Sequence, residues 1–201
     1  MKIRSPLQAS ALALCLGLAA GGAQAQNLLA DGDFENFAGQ VANGDYTTVF
    51  APGTLGAWTV GDTSVDLVRN AYGAINNISV DLSGTPGPGS ISQSFMAQAG
   101  YSYQLSFDYY KNTPGTDLGV NFAGQASTYG PAMAVTSVTL MWTADASGTQ
   151  WVTFSGGEGV TGPTLDNVML TVTAVPEPSA LALMLAGIGA IGFVARRRKT
   201  A

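Results

Sequence analysis

Three carboxylates alternate along one short stretch of the chain, Asp31, Asp33 and Glu35, with Gly32 and Phe34 between them. An extended backbone would project the acids to one side and Phe34 to the other. Carboxylates gathered on one face repel unless they are solvated, spread apart or joined by a cation. Asp166 raises the same question, because in 165–172 it shares strand parity with Val168, Leu170 and Val172 and so opens an otherwise apolar face. A carboxylate there costs several kcal/mol unless it is hydrogen-bonded or bound to metal. An EF-hand does not account for the triplet, since the glycine required at the sixth loop position is Asn36.

Aromatic side chains offer a second chemistry. Tyr and Trp rings stack on the C–H faces of sugars, while nearby Asn, Asp and Gln serve the hydroxyls. Trp142 shares parity with Val138 and Leu140 and is expected in the core, while Trp58 precedes a strand. Trp151 has the opposite parity from Val152 and Phe154 and is expected to face outward. It is the preferred sugar platform, followed by Tyr110 and Tyr129, with ordinary surface packing as the plainer alternative. Arg69 reads first as a structural salt-bridge or stacking residue and second as a sugar clamp.

Other chemistries are excluded by composition. The chain has no His and one Cys, Cys15, which removes Ser-His-Asp and Cys-His devices, His-ligated zinc and a disulfide framework from the central stretch. A carboxylate-based glycosidase would remain. Only Glu35 and Glu158 are available there as glutamates, and Glu158 sits in a Gly-Gly-Glu-Gly loop. Of 8 basic and 13 acidic residues, 2 and 12 respectively lie between residues 26 and 174, giving that stretch a formal charge of −10. A body this acidic repels nucleic acid and anionic lipid.

The elements that must position these residues follow from the remaining pattern. Residues 1–25 read as a signal peptide for signal peptidase: Lys2 and Arg4, an apolar run over 11–20, and Ala23-Gln24-Ala25 as the cleavage site. A lipoprotein cleavage before Cys15 would need a small residue where Leu14 stands. Residues 26–174 read as one domain rich in Gly, Ser, Thr, Val and aromatics. In 101–109 every odd residue is aromatic or Leu and every even one polar, which predicts a strand with one buried face. Further strands are predicted at 47–50, 57–60, 64–69, 78–82, 89–96, 119–122, 135–143, 149–155 and 165–173. Gly- and Pro-rich turns separate them, and no helix is expected within 26–174. The prediction is therefore an all-β antiparallel sandwich or jelly roll. In 175–201, Pro176, Glu177 and Pro178 lead into an apolar run over 180–195 and a cluster of Arg196, Arg197, Arg198 and Lys199. That run is predicted to be a short transmembrane helix with its basic end in the cytoplasm.

This tripartite end resembles the PEP-CTERM sorting signal of Gram-negative bacteria. The resemblance implies processing by an exosortase, an inner-membrane intermediate, and delivery to the cell surface or extracellular matrix. The body is similar to the choice-of-anchor C and DUF642-like families through Asn27 to Glu35, Gly56 to Val60, Ser64 to Val68, Ser79 to Leu82, Gly89 to Phe95 and Gly162 to Val168, while 117–131 departs from them. It implies a galactose-binding-like jelly roll associated with carbohydrate or cell wall. By the same likeness, Trp58 is core, and Glu35 and Asp166 are side-chain ligands of a structural Ca²⁺, with Asp33 a weaker third. Three functions are thus expected in order: a non-catalytic carbohydrate binder, a structural exopolymer or biofilm matrix protein without a specific small ligand, and a carboxylate glycosidase.

Overall fold

The computed structural model describes residues 26–111, 117–159, 161–174 and 185–188. The signal peptide and the Pro-Glu-Pro and Arg-cluster parts of the sorting segment lie outside the described residues. A four-residue helical stretch at 185–188 is described, and no described helix is long and apolar enough to cross a membrane.

Two six-stranded antiparallel sheets face one another, as the alternating patterns predict. The strands are β1 (Tyr46–Phe50), β2 (Gly53–Leu55), β3 (Trp58–Asp62), β4 (Ser64–Arg69), β5 (Ile78–Asp81), β6 (Gly89–Ala97), β7 (Tyr101–Lys111), β8 (Leu118–Phe122), β9 (Gln125–Tyr129), β10 (Ala132–Thr143), β11 (Gly148–Ser155) and β12 (Thr164–Ala174). One sheet has the order β1-β4-β5-β12-β7-β10 and will be called the acidic sheet. The other, β2-β3-β6-β11-β8-β9, will be called the hydroxyl sheet. All ten predicted strands are present, and β2 and β9 are additional. A six-residue 3₁₀ helix, Glu35–Gln40, interrupts the expectation of no helix.

The inward face of each sheet supplies the core. Tyr103, Leu105, Phe107 and Tyr109 of β7 oppose Ile91, Phe95, Val152 and Phe154 of the other sheet, all buried in one apolar cluster. Its centre is aromatic: Trp58 lies 6.1 Å from both Phe34 and Phe154, and Phe154 lies 5.0 Å edge-on to Phe107. Trp58 is fully buried, and Trp142 packs partly buried against Phe95, Tyr103 and Phe122, as expected for both.

One sequence expectation fails here for a physical reason. A register shift between Asp166 and Met169, with Asn167 at φ 52°, inserts a bulge into β12. Its effect is to put Val168 and Leu170 in the core with Leu165 rather than with Asp166. Asp166 therefore belongs to the outward side of the acidic sheet, although it is buried there.

Candidate functional site

The N-terminal acids do not share a face. Asp31 and Phe34 adopt left-handed φ values of 52° and 53°, so the segment is not extended and the three side chains diverge. Asp31 accepts hydrogen bonds from the Ala57 N–H at 3.1 Å and the Asn36 amide at 2.9 Å. Asp33 is exposed in a shallow groove with Asn27, Asp31, Asn167 and Met169. Glu35 opens the 3₁₀ helix and turns toward β5, accepting from the Asn77 amide at 2.6 Å and the Ile78 N–H at 3.1 Å.

Glu35 and Asp166 do come within electrostatic reach, whereas Asp33 stands apart in its groove. Asp166 accepts from the Asn167 N–H at 2.7 Å and the Asn76 amide at 3.2 Å. Burial raises its carboxyl to about 7; these two donors oppose the rise, and Glu35 and Asp108 add to it. The pair has the hard oxygens a calcium ion takes, yet each of the four oxygens already accepts a hydrogen bond. Among the described residues, no three Asp, Glu, Cys or His side chains gather as a metal-ligand set.

The aromatic candidates are dispersed. Trp151 is half-exposed at 51%, on the outside of β11, as its parity predicts. Tyr110 lies on the outside of the acidic sheet, with Gly73 against its ring. Tyr129 turns inward, its ring 5.9 Å from both Phe107 and Tyr109, so it belongs to the core's edge rather than to a platform. Arg69 is structural: its guanidinium donates to the Ala38 and Val41 carbonyls at 2.8 and 3.2 Å and to the Asn77 side chain at 3.1 Å, tying the 3₁₀ helix to β4.

The outward faces of the two sheets differ in chemistry. On the hydroxyl sheet, Thr59, Ser92, Thr153 and Asn121 form one cross-strand row and Ser90, Ser155 and Thr128 contribute to the next, with Gly61 and Gly119 between them. Trp151 stands beside Ser94 on this uncharged surface. On the acidic sheet, one row runs Thr48, Asp66, Asp81, Thr164, Tyr110, and the next pairs Asp166 with Asp108.

The sequence reading missed the Asp66–Asp81 pair. The two residues are direct partners on β4 and β5, 6% and 4% exposed. Asp81 Oδ1 accepts from the Ser83 and Gly162 N–H groups at 2.8 and 2.9 Å. Burial lifts the Asp81 carboxyl to about 7, with those two donors opposing and the facing Asp66 adding to the rise. Asp66 Oδ2 accepts from the Thr85 N–H and hydroxyl, both at 3.2 Å, while its Oδ1 is buried without a partner. Both acids line a pocket of about 200 Å³ with Tyr46, Val68, Tyr72, Thr85 and Thr161. A signal was present: the tripeptide Val-Asp-Leu occurs at 65–67 and again at 80–82.

The profile of the DUF642 family, described as a protein of unknown function, matches residues 27–171. The chain belongs to that family. A second profile, the PEP-CTERM protein-sorting motif, matches residues 174–199, so this DUF642 protein carries an export-sorting signal behind its sandwich. No curated protein matches the chain. Among solved structures it is similar to the enzymatically active domain of tailspike protein 4 of bacteriophage CBA120, at 20% identity and a TM-score of 0.46 over 73% of this chain and 21% of that one. It thus spans about a fifth of the tailspike chain. It is also similar to TmCBM61 in complex with β-1,4-galactotriose, at 17% identity and TM-score 0.43 over 72% of this chain and 97% of that one. A third likeness is to the CBM35 from Cellvibrio japonicus Abf62, at 12% identity and TM-score 0.41 over 65% and 97% of the respective chains.

Proposed function

We propose that this DUF642 protein is an exported, non-catalytic glycan-binding sandwich that an exosortase delivers to the cell surface or extracellular matrix. The observation that carries the reading is the uncharged Ser/Thr face of the hydroxyl sheet with Trp151 half-exposed upon it. A flat hydroxyl surface can exchange its water for sugar hydroxyls, and an indole ring adds a stacking platform at small conformational cost. Trp151→Ala is expected to weaken retention on the bound polysaccharide about tenfold, close to 1.4 kcal/mol. The melting temperature should stay unchanged, because the ring packs little of the core. Unaltered retention would remove Trp151 from the site, and loss of fold would make it structural.

The dispersal of Tyr110 and Tyr129 away from Trp151 favours a second reading, a matrix protein held in exopolymer by its tag and surface without a specific ligand. The two separate in a polysaccharide pull-down. Saturable retention that a soluble oligosaccharide competes away belongs to the binder, and its absence to the matrix protein.

We also propose a structural Ca²⁺ between Glu35 and Asp166, with backbone carbonyls completing its shell and Asp33, which stands apart in its groove, left out of it. Support comes from the convergence of two carboxylates, one buried, between the first segment and the last strand. A bound ion present at about 100 times its Kd would add roughly 2.7 kcal/mol of stability. Chelation with EDTA should then lower the melting temperature by about 5–10 °C, and Ca²⁺ should restore it. An unchanged melting curve on chelation would leave the hydrogen bonds from Asn76, Asn77, Ile78 and Asn167 as the whole account of these acids.

A further inference from the structure

We propose that the pocket on the acidic sheet between Tyr46, Tyr72, Asp66 and Asp81 binds the free ammonium group of an amino sugar, one ring at a time. This site lies on the opposite sheet from Trp151 and does not depend on the glycan face.

The pocket holds a carboxylate with an unfilled valence. Asp66 is nine-tenths buried and lines the pocket, and its Oδ1 has no hydrogen-bond partner. A buried carboxylate oxygen left without a donor costs stability, and a ligand that turns the Asp66 carboxylate toward its own donor would recover that cost. Four donors already serve the other oxygens of the pair. Thr85 gives both its N–H and its hydroxyl to Oδ2, and Ser83 and Gly162 give theirs to Asp81.

No described protein cation lines the pocket, although the Lys111 Nζ is also buried without a partner. Between residues 26 and 174 the only basic residues are Arg69 and Lys111. Arg69 is committed to Ala38, Val41 and Asn77. Lys111 is within electrostatic reach of Asp81, but it is buried and does not line the pocket. Two directly opposed carboxyls form an acidic pair whose charge an ammonium group offsets.

The remaining wall distinguishes an amino sugar from a bare cation. Tyr46 and Tyr72 meet edge to face with ring centroids 5.4 Å apart, and they are 40% and 54% exposed. Tyr72 is held there at φ 55°, a left-handed conformation unusual for a bulky residue and one that marks functional positions. Aromatic faces attract ammonium groups and stack on sugar C–H bonds. A calcium ion takes six to eight oxygens and gains nothing from these rings. The volume, about 200 Å³, falls below the roughly 300–1,000 Å³ of pockets for larger ligands and suits one pyranose ring.

The test is titration calorimetry of the full-length chain in detergent with glucosamine, N-acetylglucosamine, glucose, n-butylammonium and CaCl₂. Glucosamine should bind at least tenfold more tightly than each of the others. Asp66→Asn should weaken it at least tenfold, Tyr72→Asn should weaken it several-fold while suiting the left-handed backbone, and Met133→Ala, at an exposed position outside the pocket, should leave it unchanged. Melting curves check that Asp66→Asn folds, and the half-exposed Tyr72 tests the site if it does not. Equal binding of glucose or N-acetylglucosamine would overturn the ammonium, and equal binding of n-butylammonium would overturn the sugar ring. Preference for Ca²⁺ would make the pocket a metal site, and no binding of glucosamine would end the proposal.

Discussion

Gly32→Ala is expected to cost the fold roughly 3–5 kcal/mol and to release the N-terminal segment from β12. A Cβ at residue 32 would overlap the carbonyl oxygen of Val168 and lie 3.0 Å from its carbonyl carbon, so backbone rather than a movable side chain opposes it. That close approach is held by four hydrogen bonds. The Val168 N–H donates to the Gly32 carbonyl and the Leu28 N–H to the Leu170 carbonyl, each at 2.8 Å. Asn27 donates to the Val168 carbonyl at 3.1 Å and accepts from the Leu170 N–H at 2.8 Å. Pushing the segment away also withdraws Leu29 and the fully buried Phe34, whose ring packs on Trp58. Gly39→Ala is the matched control, since a Cβ there meets nothing within 4 Å, and it should change stability by less than about 0.5 kcal/mol. Thermal melting compares the two, and amide exchange at Leu28 and Val168 reports whether the segment has opened. A Gly32→Ala variant as stable as the control would mean that the segment is not anchored this way.

The same segment marks the limit of what the sequence reveals. Alternation along Tyr101 to Tyr109 is enough to place a strand and its core face, because each buried side chain is recorded two residues apart. Edge strands leave a weaker record. Both unpredicted strands, β2 and β9, are the outermost strands of the hydroxyl sheet and pair on one side only. Gly53–Leu55 is too short to show a period, and Gln125–Tyr129 is mostly polar and surface-lying. A bulge leaves no periodic mark at all, and the one in β12 moves Asp166 to the opposite side from the one its spacing implies. Candidate sites are legible to the same degree. Trp151 needs only local parity, and parity places it correctly. The Asp66–Asp81 pair needs the register between β4 and β5, and the placing of Tyr72 needs a left-handed residue in the loop between them. Those are long-range and backbone facts that residue types do not state.

Asp81 should make the protein lose stability as the pH rises from about 4 to about 7. Its carboxyl holds a proton up to about 7 in the fold, against 3.8 as its ordinary value. Between those values the folded chain therefore binds more protons than the unfolded chain. The contribution is full below about pH 4 and is lost as the pH climbs through about 7, when an ionised Asp81 faces Asp66 across adjacent strands. The gap corresponds to roughly 4 kcal/mol, or a fall in melting temperature on the order of 10 °C for a domain of this size. Asp81→Asn isolates this effect from other titrating groups. The amide oxygen can keep both hydrogen bonds from Ser83 and Gly162, and the amide carries no charge opposite Asp66. The variant should thus melt higher than the parent at about pH 8, match it near pH 4, and show a flatter profile between. Asp81→Ala should instead destabilise at every pH, because two buried N–H groups lose their acceptor at about 1–3 kcal/mol each. Parallel profiles for the parent and Asp81→Asn would show that the paired acids do not hold a proton in this range. The amino-sugar titration would then address a pocket with two negative charges, and binding should strengthen with added ammonium charge.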